Sequence, residues 1–270
     1  MRIHRINWLT LQKTSFAQKL LDCSIPCVQL QVLKFGALSI QMCGRYTIVH
    51  THKELITRFR VTKALIESKA RFNIAPTQKV PVVIFESQRT LEEVSWGLIP
   101  SWSKEPDKFK PLINARSETL AEKPSFRTAF KNRRCLIPAD GFYEWQTKAG
   151  RKFPVRITLQ EGALFSFAGL YEDRKDSAGN NLRTCTIITV PANEKISAIH
   201  DRMPAILQPE DEEIWLTAKP EETEKAFGCL KTYPDNQIEY YEVTSLVNSA
   251  RVDTEECIAP AARQLRLLPE

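Results

Sequence analysis

From Met42 onward the chain is a succession of short β-rich stretches joined by short connections, with helical stretches inserted between them rather than alternating. Stretches at 46–49, 134–138, 142–145, 163–171, 184–190 and 238–243 read as strands. Residues 81–85 and 90–96 pair as a hairpin. The turn Lys148-Ala149-Gly150-Arg151 leads into another strand at 154–159, and a polar turn at 176–181 separates the strands at 163–171 and 184–190. Helical patterns occupy 53–59, 118–131 with an interruption near Pro124, 193–199, 211–217 and 221–230, while 71–76 reads as a loop entry because Pro76 pushes Ala75 out of the α region. The pattern predicts a single α+β domain on a curved, largely antiparallel, barrel-like sheet with inserted helices. That domain spans 42–257, after a leader at 1–41 and before a loose tail at 258–270.

Composition narrows the class. At 270 residues and 43% hydrophobic, the chain has the material for one sizeable core. The formal charge is +6, of which the leader holds +4 (Arg2, Arg5, Lys13, Lys19 and Lys34 against Asp22), leaving +2 for everything after it. Any nucleic-acid contact by the main domain therefore depends on a local patch and not on a global field. The seven cysteines, Cys23, Cys27, Cys43, Cys135, Cys185, Cys229 and Cys257, are odd in number and scattered, which fits a reduced intracellular compartment and no zinc site. No apolar run is long enough to span a membrane, and Asn7, Gln12 and Lys13 break any secretory h-region.

Met42-Cys43-Gly44-Arg45-Tyr46 lies inside the chain but reads like a beginning. Loss of Met42 would give Cys43 a free α-amine beside its thiol. Such a 1,2-aminothiol condenses with an aldehyde to an imine, which the thiolate closes to a thiazolidine; an internal cysteine, its nitrogen held in amide resonance, does neither. The plain alternative is an ordinary buried cysteine. Among the few histidines, His200 in Ile199-His200-Asp201-Arg202-Met203-Pro204 stands at a helix-to-loop transition, where it either projects into a site or caps and packs. Glu144, flanked by Tyr143 and Trp145, is either a desolvated general acid/base or a solvent-facing strand residue. Asn114 is a turn residue or an orienting hydrogen-bond partner. Arg45, Arg116, Arg127, Arg133, Arg134 and Arg202, interleaved with Trp96, Trp102 and Trp145, either form the phosphate-binding and stacking surface that single-stranded nucleic acid requires or, taken singly, lie on solvated faces.

Several strings, in this order, resemble one family. They are Cys43-Gly44-Arg45-Tyr46, Asn73-Ile74-Ala75-Pro76, Trp96-Gly97-Leu98-Ile99-Pro100, Asn114-Ala115-Arg116-Ser117-Glu118-Thr119, Pro138-Ala139-Asp140-Gly141-Phe142-Tyr143-Glu144-Trp145 and His200-Asp201-Arg202-Met203-Pro204. The family is the SOS-response-associated peptidase (SRAP) family of abasic-site processing proteins. The resemblance implies binding to abasic sites in single-stranded DNA, particularly at single-strand/duplex junctions, and capture of the ring-opened sugar on the terminal cysteine, with lyase-type strand cleavage and self-processing. Carried onto this chain, it makes Cys43 the crosslinking nucleophile, Asn114 the group that holds terminus and substrate, Glu144 the acid/base and His200 a proton carrier. It gives Arg45, Arg116 and Arg202 the flanking phosphates, and gives Pro76, Trp96 and Trp145 contacts to the DNA, Pro76 and Trp145 by stacking or wedging. It implies no metal or organic cofactor, no membrane, a monomer, and a cytoplasmic, DNA-associated location.

One departure is the leader: the family pattern starts at the cysteine after the initiator Met. Either translation begins at Met42 or the preceding residues are removed. Two other classes stay open at this level, a cysteine endopeptidase acting on other proteins and a non-enzymatic reader of single-stranded or modified DNA.

Overall fold

The computed structural model describes residues 44–176 and 179–261; the leader, Met42 and Cys43, and the residues after 261 lie outside the described residues. Along the chain run β1 (Tyr46–Ile48), α1 (His52–Arg58), β2 (Lys63–Ala64), β3 (Arg71–Ile74), β4 (Lys79–Phe85), β5 (Arg89–Trp96) and β6 (Asn114–Arg116). There follow α2 (Arg127–Asn132), β7 (Arg134–Ala139), β8 (Gly141–Lys148), β9 (Arg151–Leu159), β10 (Phe165–Lys175) and β11 (Asn181–Pro191). The chain continues through α3 (Glu194–Ser197), β12 (Arg202–Pro204), β13 (Ile206–Leu207), α4 (Asp211–Thr217), α5 (Thr223–Gly228) and β14 (Ile238–Glu242).

Local chemistry explains the boundaries. Thr51 and Glu54 form a capping box that starts α1, and the Asn193 side chain accepts from Ile196 N at 2.9 Å to start α3. The β8–β9 hairpin turns on Ala149 (φ 48°) and Gly150 (φ 76°), the paired positive angles of a type I′ turn. The helix expected at 118–131 is reduced to a 3₁₀ turn at Ser117–Thr119 and α2 at Arg127–Asn132. Pro124 lies between the two; it lacks an N–H and restricts Lys123. Residues 71–74, expected as loop, are strand β3, because restriction by Pro76 reaches only the residue before it. In the expected loose tail, Pro260 makes an antiparallel bridge to Val243.

The strands form a five-stranded sheet, β14-β9-β8-β1-β3, and a larger one, β12-β11-β10-β7-β4-β5-β2, with β6 beside β11 and β13 beside β10. The larger sheet closes on itself. Cys185 on β11 pairs in parallel with Trp96 on β5, so β11, β10, β7, β4 and β5 form a five-stranded barrel and most of their backbone edges are paired. The barrel-like α+β domain is therefore as expected, but the sheet is mixed: β5 and β6 both lie parallel to β11, and β2 parallel to β5. Among the described residues no helix is long and apolar enough to cross a membrane.

Aromatic rings join the two sheets. Tyr46 on β1 meets Trp96 on β5 at 5.3 Å and Phe167 on β10 at 5.7 Å, both edge-to-face, and Phe142 on β8 meets Phe167 at 6.1 Å. Trp96 is fully buried (0% exposed), and its indole N–H donates to the Ile113 carbonyl at 2.9 Å. It is a core residue and offers no face to a base, which corrects its assignment as a DNA contact. Trp96→Ala should destabilise the domain by about 3–5 kcal/mol, through lost contact and the cavity left behind. Urea-unfolding midpoints of the two proteins measure this; an unchanged midpoint would contradict a core role.

Candidate functional site

β1 is only three residues long and lies between β8 and β3. The chain just before it is held by the same strands: the Arg45 carbonyl accepts from Tyr143 N at 2.9 Å. Gly44 and Arg45 line a pocket of about 210 Å³ together with Pro76 and Trp145. The residue before Gly44 is Cys43, outside the described residues.

β8 supplies two neighbouring groups. Trp145 is half-buried at the pocket wall, and Glu144 is 4% exposed. That burial excludes the solvent-facing strand position, which would leave the carboxylate open. Pro76 stands on a turn at 75–78, closed by Gln78 N donating to Ala75 O at 3.3 Å. Thr77, in the turn's second central place, has φ 70°, a value a type II turn reserves for Gly and a β-branched residue adopts only under strain. Its N–H donates to the Trp96 carbonyl at 2.7 Å, so the turn that presents Pro76 is fastened to the core.

Arg45 faces a strap formed by the chain's last described segment. Its Nη1 donates to Asn73 Oδ1 at 2.9 Å and to the Val247 carbonyl at 2.6 Å. Burial lowers its pKa from the ordinary value, yet a guanidinium stays charged. Asn73, itself buried, donates to Ser249 O at 2.9 Å and Val252 O at 2.7 Å. Asp253 closes the strap by accepting from Phe72 N and Asn73 N at 2.6 and 2.8 Å and pairing with Arg71.

Behind β1 a fully buried carboxylate holds the strands in place. Asp140 accepts from Thr47 Oγ1 at 2.5 Å, from Arg156 Nη2 at 2.8 Å and from Val49 N. A Cβ on Gly141 would stand 2.8 Å from Arg156 Nε and 3.0 Å from Thr47 Oγ1, so the guanidinium reaches Asp140 across a position only glycine leaves open.

A second group gathers on β11. β6 pairs with it so that Asn114 and Arg116 oppose Ile187 and Thr189, and β12 pairs on the other side with Arg202 opposing Pro191. Asn114 is half-buried and Arg116 exposed. The His200 side chain is 10% exposed, with Nδ1 3.1 Å from Arg202 N and 2.8 Å from Asp201 Oδ1. When the ring is neutral, the backbone N–H of Arg202 places the ring proton on Nε2; when it is charged, Nδ1–H donates to Asp201. The two groups are linked through one side chain: Trp96 touches Tyr46, the residue after Arg45, and donates to Ile113, the residue before Asn114.

Cys135, Cys185, Cys229 and Cys257 are all buried free thiols. Burial pushes the Cys135 and Cys185 thiols well up and Cys229 to about 11, which makes them poor nucleophiles. Among the described residues no cluster of three or more His, Cys, Asp or Glu side chains could hold a metal ion.

The SOS response associated peptidase (SRAP) family matches residues 42–250. The chain belongs to this family. The abasic site processing protein YoqW of Bacillus subtilis is 43% identical over 221 residues, covering 80% of this chain and 99% of YoqW. The abasic site processing protein HMCES of Gallus gallus is 35% identical over 222 residues, covering 70% of this chain and 66% of HMCES. A Bacteroides thetaiotaomicron protein of known crystal structure shares the fold with TM-score 0.71 at 24% identity, covering 81% of this chain and all of that one. A Bordetella bronchiseptica protein does so with TM-score 0.66 at 26% identity, covering 75% of this chain and all of its own.

Within this SRAP domain Arg202, expected to hold a phosphate, is 8% exposed and has partners of its own: both terminal nitrogens grip Glu118 (Nη2 to Oε2 at 2.8 Å), Nη2 also donates to Thr189 O at 2.6 Å, and Nε to Thr189 Oγ1 at 3.2 Å. These bonds fasten β12 to β11 and to the turn after β6. Asn73, Glu118 and Asp140 were in the motif strings without a role; for Asn73 and Asp140 a polar residue between non-polar neighbours was the available signal, and Glu118, between Ser117 and Thr119, offered none. Asp253 and Asn248 carried no such signal.

The Arg202 guanidinium holds the Glu118 carboxyl down at about 2, against an ordinary value of 4.5. A carboxyl depressed on folding stabilises above its unfolded pKa and loses that contribution as pH falls toward the folded value. Between pH 5 and pH 3 the wild-type unfolding midpoint should therefore fall further than that of Glu118→Gln. Equal slopes would show that the ion pair does not depend on that proton.

Proposed function

We propose that this protein processes abasic sites in single-stranded DNA, capturing the ring-opened sugar on Cys43 once that residue is the amino terminus. The observation that carries the reading is the pocket at Gly44 and Arg45, walled by Pro76 and Trp145 and next in sequence to a buried carboxylate. The names of the SRAP relatives, abasic site processing proteins, point the same way.

The chemistry follows from an aminothiol at that place. The α-amine of Cys43 adds to the C1′ aldehyde and the carbinolamine loses water to give an imine. The thiol sulfur then bonds to the imine carbon while the nitrogen takes a proton, so the balance is aldehyde plus aminothiol giving thiazolidine plus water. Glu144 donates and removes the protons of ring opening and dehydration, since a desolvated carboxylate is suited to both. Elimination from the imine before ring closure accounts for lyase-type cleavage. His200 moves protons in forming and reversing the adduct, and Asn114 orients terminus and substrate. Arg45 and Arg116 meet flanking phosphates, and Pro76 and Trp145 stack against or part the bases, which suits a strand/duplex junction. Trp96 supports both groups of residues from the core. The active chain begins at Cys43 either through translation from Met42 and loss of that methionine or through a single self-cleavage ahead of Cys43, and it acts as a monomer without metal or organic cofactor.

A denaturing gel of protein starting at Met42, incubated with abasic and intact oligonucleotides, tests the reading. A covalent band with the abasic strand alone is expected. Turnover of peptides without DNA would instead favour an endopeptidase, and equal non-covalent binding of both strands a DNA reader. Cys43→Ala should abolish the denaturation-stable adduct, because an imine without the thiol stays hydrolysable. Glu144→Gln should slow adduct formation by about 10²-fold; wild-type rates in both variants would refute these roles.

The leader gives a separate prediction. With residues 1–42 attached, the Cys43 nitrogen is an amide and no thiazolidine can close. Intact-mass measurement of purified crosslinks should find only chains that begin at Cys43. A stable Cys43 crosslink on a chain still carrying the leader would overturn the mechanism.

A further inference from the structure

The strap across the site has a feature that the reaction scheme does not use. Asn248 is exposed, packs into no core, and yet points its side-chain oxygen at the pocket wall: Trp145 Nε1 donates to Asn248 Oδ1 at 2.7 Å. The indole N–H is only a donor, so the acceptor has to be the amide oxygen and the orientation of the Asn248 amide is fixed by chemistry. The Trp145 side chain also packs against a small buried cluster of Tyr143, Val243 and Val247. The two residues that hold Trp145 also hold Arg45. The Val247 carbonyl accepts from Arg45 Nη1 at 2.6 Å and the Asn248 carbonyl from Nη2 at 3.4 Å.

We propose that Asn248 is a positioning residue for DNA: its amide oxygen sets the plane of the Trp145 indole, while the Val247 and Asn248 carbonyls set the Arg45 guanidinium, so that one turn of the strap fixes the stacking plate and the neighbouring cation as a unit. The inference rests on the reading of the pocket as a DNA site. A tryptophan side chain turns about two torsions, and packing against that cluster restrains the ring without choosing its angle. The single edge hydrogen bond makes that choice. The backbone carbonyls hold Arg45 whatever side chain stands at 248, whereas the indole is held by the side chain itself. Substitution at 248 therefore separates the two roles.

The test uses the protein from Met42 and two readouts. The first needs no DNA. In a ¹⁵N–¹H spectrum the Trp145 indole resonance, assigned by its disappearance in Trp145→Phe, should move upfield and exchange faster with water in Asn248→Ala. The second is adduct formation with an abasic oligonucleotide, where Asn248→Ala should raise the half-maximal DNA concentration about threefold to tenfold, the usual effect of losing one such hydrogen bond. Trp145→Phe keeps an aromatic ring but has no N–H, so adding Asn248→Ala to it should cause no further loss. Asn248→Ala with an unmoved indole resonance, with wild-type DNA dependence, or with its full effect persisting in the Trp145→Phe background would each overturn the proposal. Absence of any adduct from the wild-type protein would instead overturn the function reading, while the indole resonance would still report on the positioning itself.

Discussion

A single buried carboxylate carries much of the arrangement around the site. β1 contributes three residues and only a few pairings to its neighbours, Tyr46 with Ile74 and Phe142, Thr47 with Gly141 and Ile48 with Arg71. So short a strand has too few ladder bonds to fix its own position. Asp140 supplies what is missing by bonding the Thr47 hydroxyl and the Val49 amide of the β1 segment and the Arg156 guanidinium of β9. Breaking a buried ion pair by removing one partner typically costs 3–5 kcal/mol, because the other charge is left without compensation. Here that loss would fall on the strand that sets the course of Gly44 and Arg45.

The arginines divide along the same lines. Arg156 and Arg202 are nearly closed to solvent and each is matched to a carboxylate, Asp140 and Glu118. Arg45 is half-engaged with backbone carbonyls, and Arg116 stands exposed at the end of β6. The guanidinium groups of this domain thus serve as staples or as available charges according to whether an acid lies within reach. A domain whose net charge after the leader is only +2 offers a phosphate backbone little global attraction, so the placement of its available cations matters more than their number.

Local features of the sequence were readable and long-range ones were not. The Ala149-Gly150 turn, the β4–β5 hairpin and α4 at Asp211–Thr217 follow from residues adjacent in the chain. Closure of the barrel rests on Thr184 and Cys185 meeting Ser95 and Trp96 in parallel, and no local pattern announces it. Trp96 and Trp145 illustrate the same limit within the site. Each ends or interrupts a strand in an aromatic string, but one is sealed between two sheets and the other lines a pocket. Glu144 was the reverse case: its aromatic neighbours on β8 did foretell its burial. Cys43, Asn114 and His200 were singled out by chemical type and motif, whereas Asp253 and Asn248 make contacts with residues more than a hundred positions away in sequence, beyond the reach of any spacing rule.

The strap also sets a time order. Arg45 and Val247 stand 202 positions apart, so the first and last parts of the domain to leave a ribosome meet at the same pocket. Chains emerge amino terminus first, at about 5–20 residues per second. The Gly44–Arg45 segment therefore spends roughly ten seconds or more outside the tunnel before its partner carbonyls are made. During that interval the barrel strands can assemble, but the wall that Val247, Asn248 and Asp253 complete does not exist. The strap is consequently the last part of this wall to be made, and the nascent domain lacks it until its final segment is released.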